Sequence, residues 1–171
     1  MKQPMIKKQI PVEHERRFFP NLATFMFNKD QYPSTLIIQA YLEDELRTRI
    51  RDEFDRLTGH VYTQTRKTGD GVSRPEDEHK ISKKAFDAML ENATCQLVKI
   101  RYFMPYDGFV AQVNFFEGDL SGYVQIEVEF DTEEEANPFV PPAWLGLEVT
   151  HDKRHGNYWL AKYGCKDLLP C

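Results

Sequence analysis

The sequence predicts a mostly β fold of the α+β class, an antiparallel sheet closed into a barrel with helices packed outside it. Three observations carry this expectation. Short stretches alternate polar and apolar residues, clusters of Gly, Asp and Pro separate them, and the polar faces of successive stretches carry charge sorted by sign. A chain of 171 residues fits one domain, 1–171, with one core. Its hydrophobic fraction of 41% and aromatic fraction of 13% argue against disorder.

The first stretch, Val12 to Phe19, sets Glu13, Glu15 and Arg17 on one face if it is extended, and Val12, His14, Arg16 and Phe18 on the other. Leu22 to Lys29 has no clear period and is compatible with a helical turn. Thr35 to Leu42 is rich in β-branched residues and carries Gln39 and Tyr41 together. Leu46 to Arg51 alternates and pairs Arg47 with Arg49, after which Asp52 to Gly59 reads as a connection. His60 to Lys67 groups Thr63, Thr65 and Lys67, and the turn-rich Thr68 to Pro75 leads to a stretch with Glu76 and Glu78 on one face.

Ser82 is a predicted N-cap for a helix over Lys83 to Ala93, where Ala85, Phe86, Met89, Leu90 and Ala93 form one stripe. Gln96 to Tyr102 groups Lys99 with Arg101, and Asp107-Gly108 turns the chain back through Val110 to Phe116. Tyr123 to Phe130 has the cleanest alternation, with Glu127 and Glu129 opposite Ile126, Val128 and Phe130. Thr132 caps a short predicted helix to Ala136, prolines end it, LGLEVTHD forms a last extended piece, and a tail helix runs from Asn157 to Tyr163.

The net charge of −5 gives no overall pull toward nucleic acid or anionic lipid. No segment approaches the ~18 apolar residues of a membrane span, so a cytoplasmic protein is expected. Cys95, Cys165 and Cys171 lack metal or redox spacing and are expected as free thiols. His151 and His155 stand four apart in a polar stretch and read as surface histidines. Phe18, Phe19, Phe115, Phe116 and Trp144 read as packing residues.

An open sheet could show its charged rows to water. Their grouping by sign, whole stretches of carboxylates or of cations, is what that arrangement explains poorly. In a barrel the charged face becomes the lumen, and a charged lumen is costly without a ligand. Converging guanidinium and ammonium groups suit a polyphosphate, and paired carboxylates suit Mg²⁺ or Mn²⁺. Together they describe metal-assisted phosphoryl chemistry.

The chain resembles the CYTH superfamily of triphosphate tunnel metalloenzymes. Its E-x-E-x-K hallmark stands here as Glu13-His14-Glu15-Arg16-Arg17, and the likeness continues through IIQAYL, LRTRI, YTQTRK, RPEDEHKI, LVKIRY, FFEGDLSGYVQIEVEF and PAWLGLEVTHDKRHGN. The resemblance implies an eight-stranded antiparallel tunnel, triphosphate substrates and dependence on Mg²⁺ or Mn²⁺. Position by position it implies metal binding by Glu13, Glu15, Glu127 and Glu129, with Asn114 where relatives carry an aspartate ligand. It implies triphosphate binding by Arg17, Arg47, Arg49, Lys67, Arg74, Lys99 and Arg101, and catalytic duties for Glu13, Glu15, Arg17, Glu76 and Glu78.

Within that family the chain looks most similar to bacterial inorganic triphosphatases. A class IV adenylate cyclase, a thiamine triphosphatase and a non-catalytic polyphosphate or nucleotide binder are the alternatives, and a homodimer is left open. Three departures distinguish the chain: Arg17 for the motif lysine, and Gln112 and Asn114 where bacterial relatives usually show E-x-D.

Overall fold

The structure is a computed structural model that describes residues 12–21, 23–44, 48–67 and 73–169, without the side chains of Glu13, Lys67 and residues 73–76. It is mostly β, an antiparallel sheet with few helices. The strands are β1 (Val12–Phe19), β2 (Ser34–Tyr41), β3 (Arg49–Asp55), β4 (Gly59–Lys67), β5 (Ser73–Lys80), β6 (Cys95–Tyr106), β7 (Phe109–Phe116), β8 (Val124–Phe130) and the short β9 (Leu147–Glu148). The helices are α1 (Lys83–Leu90), α2 (Glu133–Ala136) and α3 (Asn157–Tyr163), with single 3-10 turns between elements.

The strand order is β5-β4-β3-β2-β6-β7-β8-β1-β9, nine strands in one sheet. β1 also meets β5, over three register pairs, Val12 with Pro75, Glu13 with Arg74 and His14 with Ser73. Farther along that same edge β1 pairs with β9 at Phe18 and Phe19. Between them the edge is held by Thr150 Oγ1, which accepts from Arg17 N at 3.0 Å, and by Val149 N, which donates to Arg17 O at 2.8 Å. The closed barrel expected from sequence is therefore not formed: β1 touches β5 at one end only, over three pairs. The rest of that edge serves the segment after Gly146.

Gly146 makes this possible. Its φ is +74°, and a Cβ there would lie 2.3 Å from Phe19 O and 2.5 Å from Asn21 N. At the β6–β7 hairpin, Asp107 (φ 43°) and Gly108 (φ 85°) adopt the left-handed pair of a tight primed turn, as the Asp-Gly signal predicts.

Each strand separates two faces. On one, Phe18, Met104, Ala111, Val113, Ile126 and Val128 bury against Leu145 and a loop aromatic cluster that includes Phe25, Phe27 and Trp144. Phe86 of α1 packs on Ala40 and Ile50 of the same face. Ser82 caps α1 by accepting from Ala85 N at 3.2 Å, and Thr132 caps α2 by accepting from Glu135 N at 3.2 Å. Full burial of each large apolar side chain contributes about 1.5–3 kcal/mol.

The opposite face is charged along most of its length and apolar at one end. There Leu97, Phe116 and Tyr123, in alternation with the charged positions, pack on Leu160 of α3 and on Cys165. Tyr158 of α3 meets Tyr41 edge-on at 5.3 Å. α3 is thus not packed outside with α1, as expected, but against the charged face's own apolar end.

Several boundaries also differ from expectation. β3 runs on through Asp52–Asp55, which pair with β2 and β4, instead of ending at Arg51. α1 ends at Leu90, short of Ala93, and β6 extends to Tyr106. Only Leu147–Glu148 of LGLEVTHD is strand. Among the described residues no helix is long and apolar enough to cross a membrane, and Cys95 and Cys165 are free thiols.

Candidate active site

The charged face gathers β1, β3, β4, β6, β7 and β8 around a set of buried ionic groups. Register does the positioning: Arg17 lies opposite Glu127, Glu127 opposite Gln112, Arg101 opposite Asn114, and Arg49 opposite Thr65. Alternation then aims all of them to one side. Glu15, Arg17, Arg49, Lys99, Arg101, Asn114 and Glu127 are all buried. Charged side chains are rarely buried in this way unless they are paired.

Glu127 sits at the centre. Arg101 Nη2 donates to its Oε2, and Lys99 Nζ lies 3.8 Å from its Oε1. Burial resists its charge, but Lys99, Arg101, Arg17 and Arg51 together hold its carboxyl well below the usual carboxylate range. Lys99 is 0% exposed and its Nζ has no hydrogen-bond acceptor. Burial pushes its ammonium well below the ordinary lysine range, against the pull of Glu127.

Asn114 is fully buried between strands. Its Oδ1 accepts from Arg101 Nε at 2.9 Å, while its Nδ2 donates to the carbonyls of Gln112 (3.1 Å) and Gln125 (3.4 Å). A carboxylate at this position would set an oxygen against those carbonyls, which an amide satisfies. Gln112 and Gln125 each retain a buried side-chain Oε1 without a donor.

On the β3–β5 side, Arg49 Nη2 donates to Thr65 Oγ1 (2.9 Å) and to Glu78 Oε2 (3.2 Å), and Thr65 Oγ1 donates to Glu78 Oε2 at 2.8 Å. Sequence reasoning missed Arg51. Its Nε and Nη2 reach Gln39 Oε1 at 3.1 and 3.0 Å, and its Nη1 reaches Glu53 at 2.8 Å. The signal was present, because Arg49 and Arg51 continue one alternating row. Gln39 in turn donates to Tyr41 OH at 2.5 Å, and burial raises that phenol to about 12.

Arg47 lies outside the described residues, and so do the side chains of Glu13, Lys67, Arg74 and Glu76. Their strands still set backbone register: Glu13 with Arg74, and Lys67 with Glu76. Glu129 stands opposite Glu15 and is exposed. His155 overturns the expectation of surface histidines. It is buried, and its Nδ1 lies 2.5 Å from Tyr123 OH, whereas His151 is exposed.

Among the described residues no three His, Cys, Asp or Glu side chains are gathered closely enough to hold a metal ion. The chemistry of the donors nonetheless suits a hard cation. Carboxylates on β1 and β8, with the donor-free Gln112 Oε1 beside them, are oxygen ligands of the kind Mg²⁺ and Mn²⁺ take.

Among the described residues, an antiparallel sheet that gathers Arg17, Arg49, Lys99 and Arg101 on one buried face suits a class of protein that handles polyanions. Comparison narrows it. No family model matches the chain. It is 37% identical over 156 residues to an inorganic triphosphatase of Nitrosomonas europaea, across 87% of this chain and 96% of that protein. To an inorganic triphosphatase of Acetivibrio thermocellus it is 31% identical over 153 residues, across 84% and 94% of the two. A crystal structure of an inorganic triphosphatase superposes with a TM-score of 0.62 at 32% identity, covering 88% of this chain and 97% of that one. The chain belongs to the inorganic triphosphatase family.

Proposed function

We propose that the protein hydrolyses the terminal phosphate of inorganic tripolyphosphate, with Mg²⁺ or Mn²⁺ bound, inside a CYTH-type tunnel. One observation carries the reading: the Lys99 ammonium is fully buried with no hydrogen-bond acceptor, its charge resisted by burial and by Arg101 and Arg51 and drawn only by Glu127 at 3.8 Å and by Glu15. A buried charge that its ion-pair partner compensates only in part costs several kcal/mol, which a phosphate oxygen offsets.

Water attacks the terminal phosphorus, the bond to the bridging oxygen breaks, and pyrophosphate leaves with that electron pair. Arg49, Arg51, Lys99 and Arg101, with Arg47, Lys67 and Arg74 at the unseen positions, bind phosphate oxygens and stabilise the charge that spreads over them in the transition state. Glu76 and Glu78 are suited to orient the water. Glu13, Glu15, Glu127 and Glu129 would hold the divalent ion, with Gln112 Oε1 as a neutral oxygen. Asn114 Oδ1, which accepts from Arg101 Nε, has a second lone pair that would serve the ion. When bound, the ion supplies charge neutralisation at the phosphate oxygens. With free thiols at Cys95 and Cys165, the chain is read as a cytoplasmic enzyme.

The test is phosphate release from tripolyphosphate, ATP and thiamine triphosphate, each with Mg²⁺, Mn²⁺ or chelator, beside a Lys99→Met control. Metal-dependent turnover that favours tripolyphosphate and disappears in the control is expected. Equal turnover in chelator, or cyclic AMP formed from ATP, would overturn the assignment.

A further inference from the structure

Arg17 stands where charged and apolar parts of the interior meet, and its bonds run away from the cations. Its Nη2 donates to Thr150 O at 2.6 Å and its Nη1 to His155 O at 3.4 Å. Its backbone is tied to the same segment, through Thr150 Oγ1 and Val149 N. Gln125 Nε2 donates to the same His155 carbonyl at 2.7 Å, and Tyr123 OH holds the imidazole of His155. Arg17 Nε meanwhile lies 3.7 Å from Glu15 Oε1, and the residue pairs with Glu127 in register.

On the triphosphatase reading, we infer that Arg17 is a positioning residue that fastens the 148–156 segment to the acidic wall of Glu15 and Glu127, and does not bind phosphate. The planar fork is what the task requires. Two carbonyls 5 residues apart in the chain are met by two terminal nitrogens of one guanidinium, while Nε faces Glu15. A lysine ammonium in its place meets fewer of these partners, because its donors radiate from a single nitrogen. The 148–156 segment leads directly into α3, which packs on the apolar end of the interior. Arg17 therefore links the carboxylates proposed for the metal to the element that covers the far end of the site.

The experiment compares the full chain with Arg17→Lys and Arg17→Met by kcat, by KM for tripolyphosphate, and by amide hydrogen exchange. A positioning role predicts that kcat falls about tenfold or more while KM stays within about threefold. It also predicts exchange at least tenfold faster at Val149, His155 and Gly156, with β6–β8 unchanged. A KM raised tenfold with kcat retained would overturn the inference. Should the variants fold poorly, exchange in the natural chain decides it: added tripolyphosphate leaves 148–156 protected if Arg17 keeps its carbonyls, and deprotects it if Arg17 turns to phosphate. A natural chain without any turnover would sink the triphosphatase reading, yet the exchange comparison of Arg17→Lys would still decide what Arg17 holds.

Discussion

Lys99 shows how one residue can favour function over stability. Its ammonium is fully buried and lacks a hydrogen-bond acceptor, so the folded protein bears a charge that water would otherwise solvate. Removing one partner of a buried ion pair is costly when the other is left unpaired, but for Lys99 burial outweighs the attraction of Glu127, 3.8 Å away, and Glu127 keeps its bond to Arg101 when the ammonium is gone. Lys99→Met is therefore expected to unfold at higher temperature than the natural chain near neutral pH, while losing affinity for tripolyphosphate. The pH dependence has a definite sign. Because burial lowers the Lys99 pKa from 10.5, the unfolded chain binds more protons as pH rises toward that value, and the natural chain gains stability over this window. The gap between the two proteins should narrow as pH is raised, which thermal melts at several pH values would measure. A Met variant that is less stable at every pH would mean that the ammonium is compensated internally. Lys99 and Arg101 were legible because alternation alone puts both on one face. Arg51 continues the Arg49 row just as clearly, but it lies beside a run of acidic residues that reads as a connection.

That run, Asp52 to Asp55, belongs to β3 because strand partners outweigh polar composition. Asp52 pairs with Tyr62 and Ile38, Phe54 with His60 and Leu36, and Asp52 Oδ1 contacts His60 Nδ1 at 2.8 Å. None of these partners is local enough to be read from the segment itself. The β1–β9 junction is similar: nothing in LGLEVTHD says that only two residues pair, since its geometry follows from the approach of Gly146 to the Phe19–Asn21 backbone. Gly146→Ala combines a Cβ at 2.3 Å from a backbone oxygen with a positive φ, and neither backbone neighbour can rotate away. The substitution is expected to cost at least about 2 kcal/mol. Because the same segment carries the carbonyls that Arg17 holds, it should also lower turnover, which melts and phosphate release on one preparation would show together. Unchanged stability would mean that the β1–β9 junction shifts at no cost.

Across the whole molecule, the two faces of one sheet divide the labour. The outer face buries Phe18, Val113, Ile126 and Val128, and the inner face holds Arg49, Lys99, Arg101 and Glu127, with α3 set against its apolar end. The placement of α3 was within reach of the sequence, since Leu97, Phe116 and Tyr123 stand in alternation with Lys99, Asn114 and Gln125. The extent of β1–β5 pairing was not, because a pattern of alternation names a face but no hydrogen-bonding neighbour. An interior of this kind should respond to anions by valence. A ligand at a hundredfold its Kd stabilises by about 2.7 kcal/mol, which for a chain of this size is a rise in Tm of roughly 5–10 °C. Tripolyphosphate is expected to give the largest rise, pyrophosphate less and orthophosphate least at equal concentration, because a longer anion carries more charge and meets more of the inner-face cations at once. Sulfate at matched ionic strength controls for general salt effects, which screen surface charges more than buried ones. Equal shifts for all four anions would place binding on the surface, whereas the graded order, lost in Lys99→Met, assigns it to the inner face.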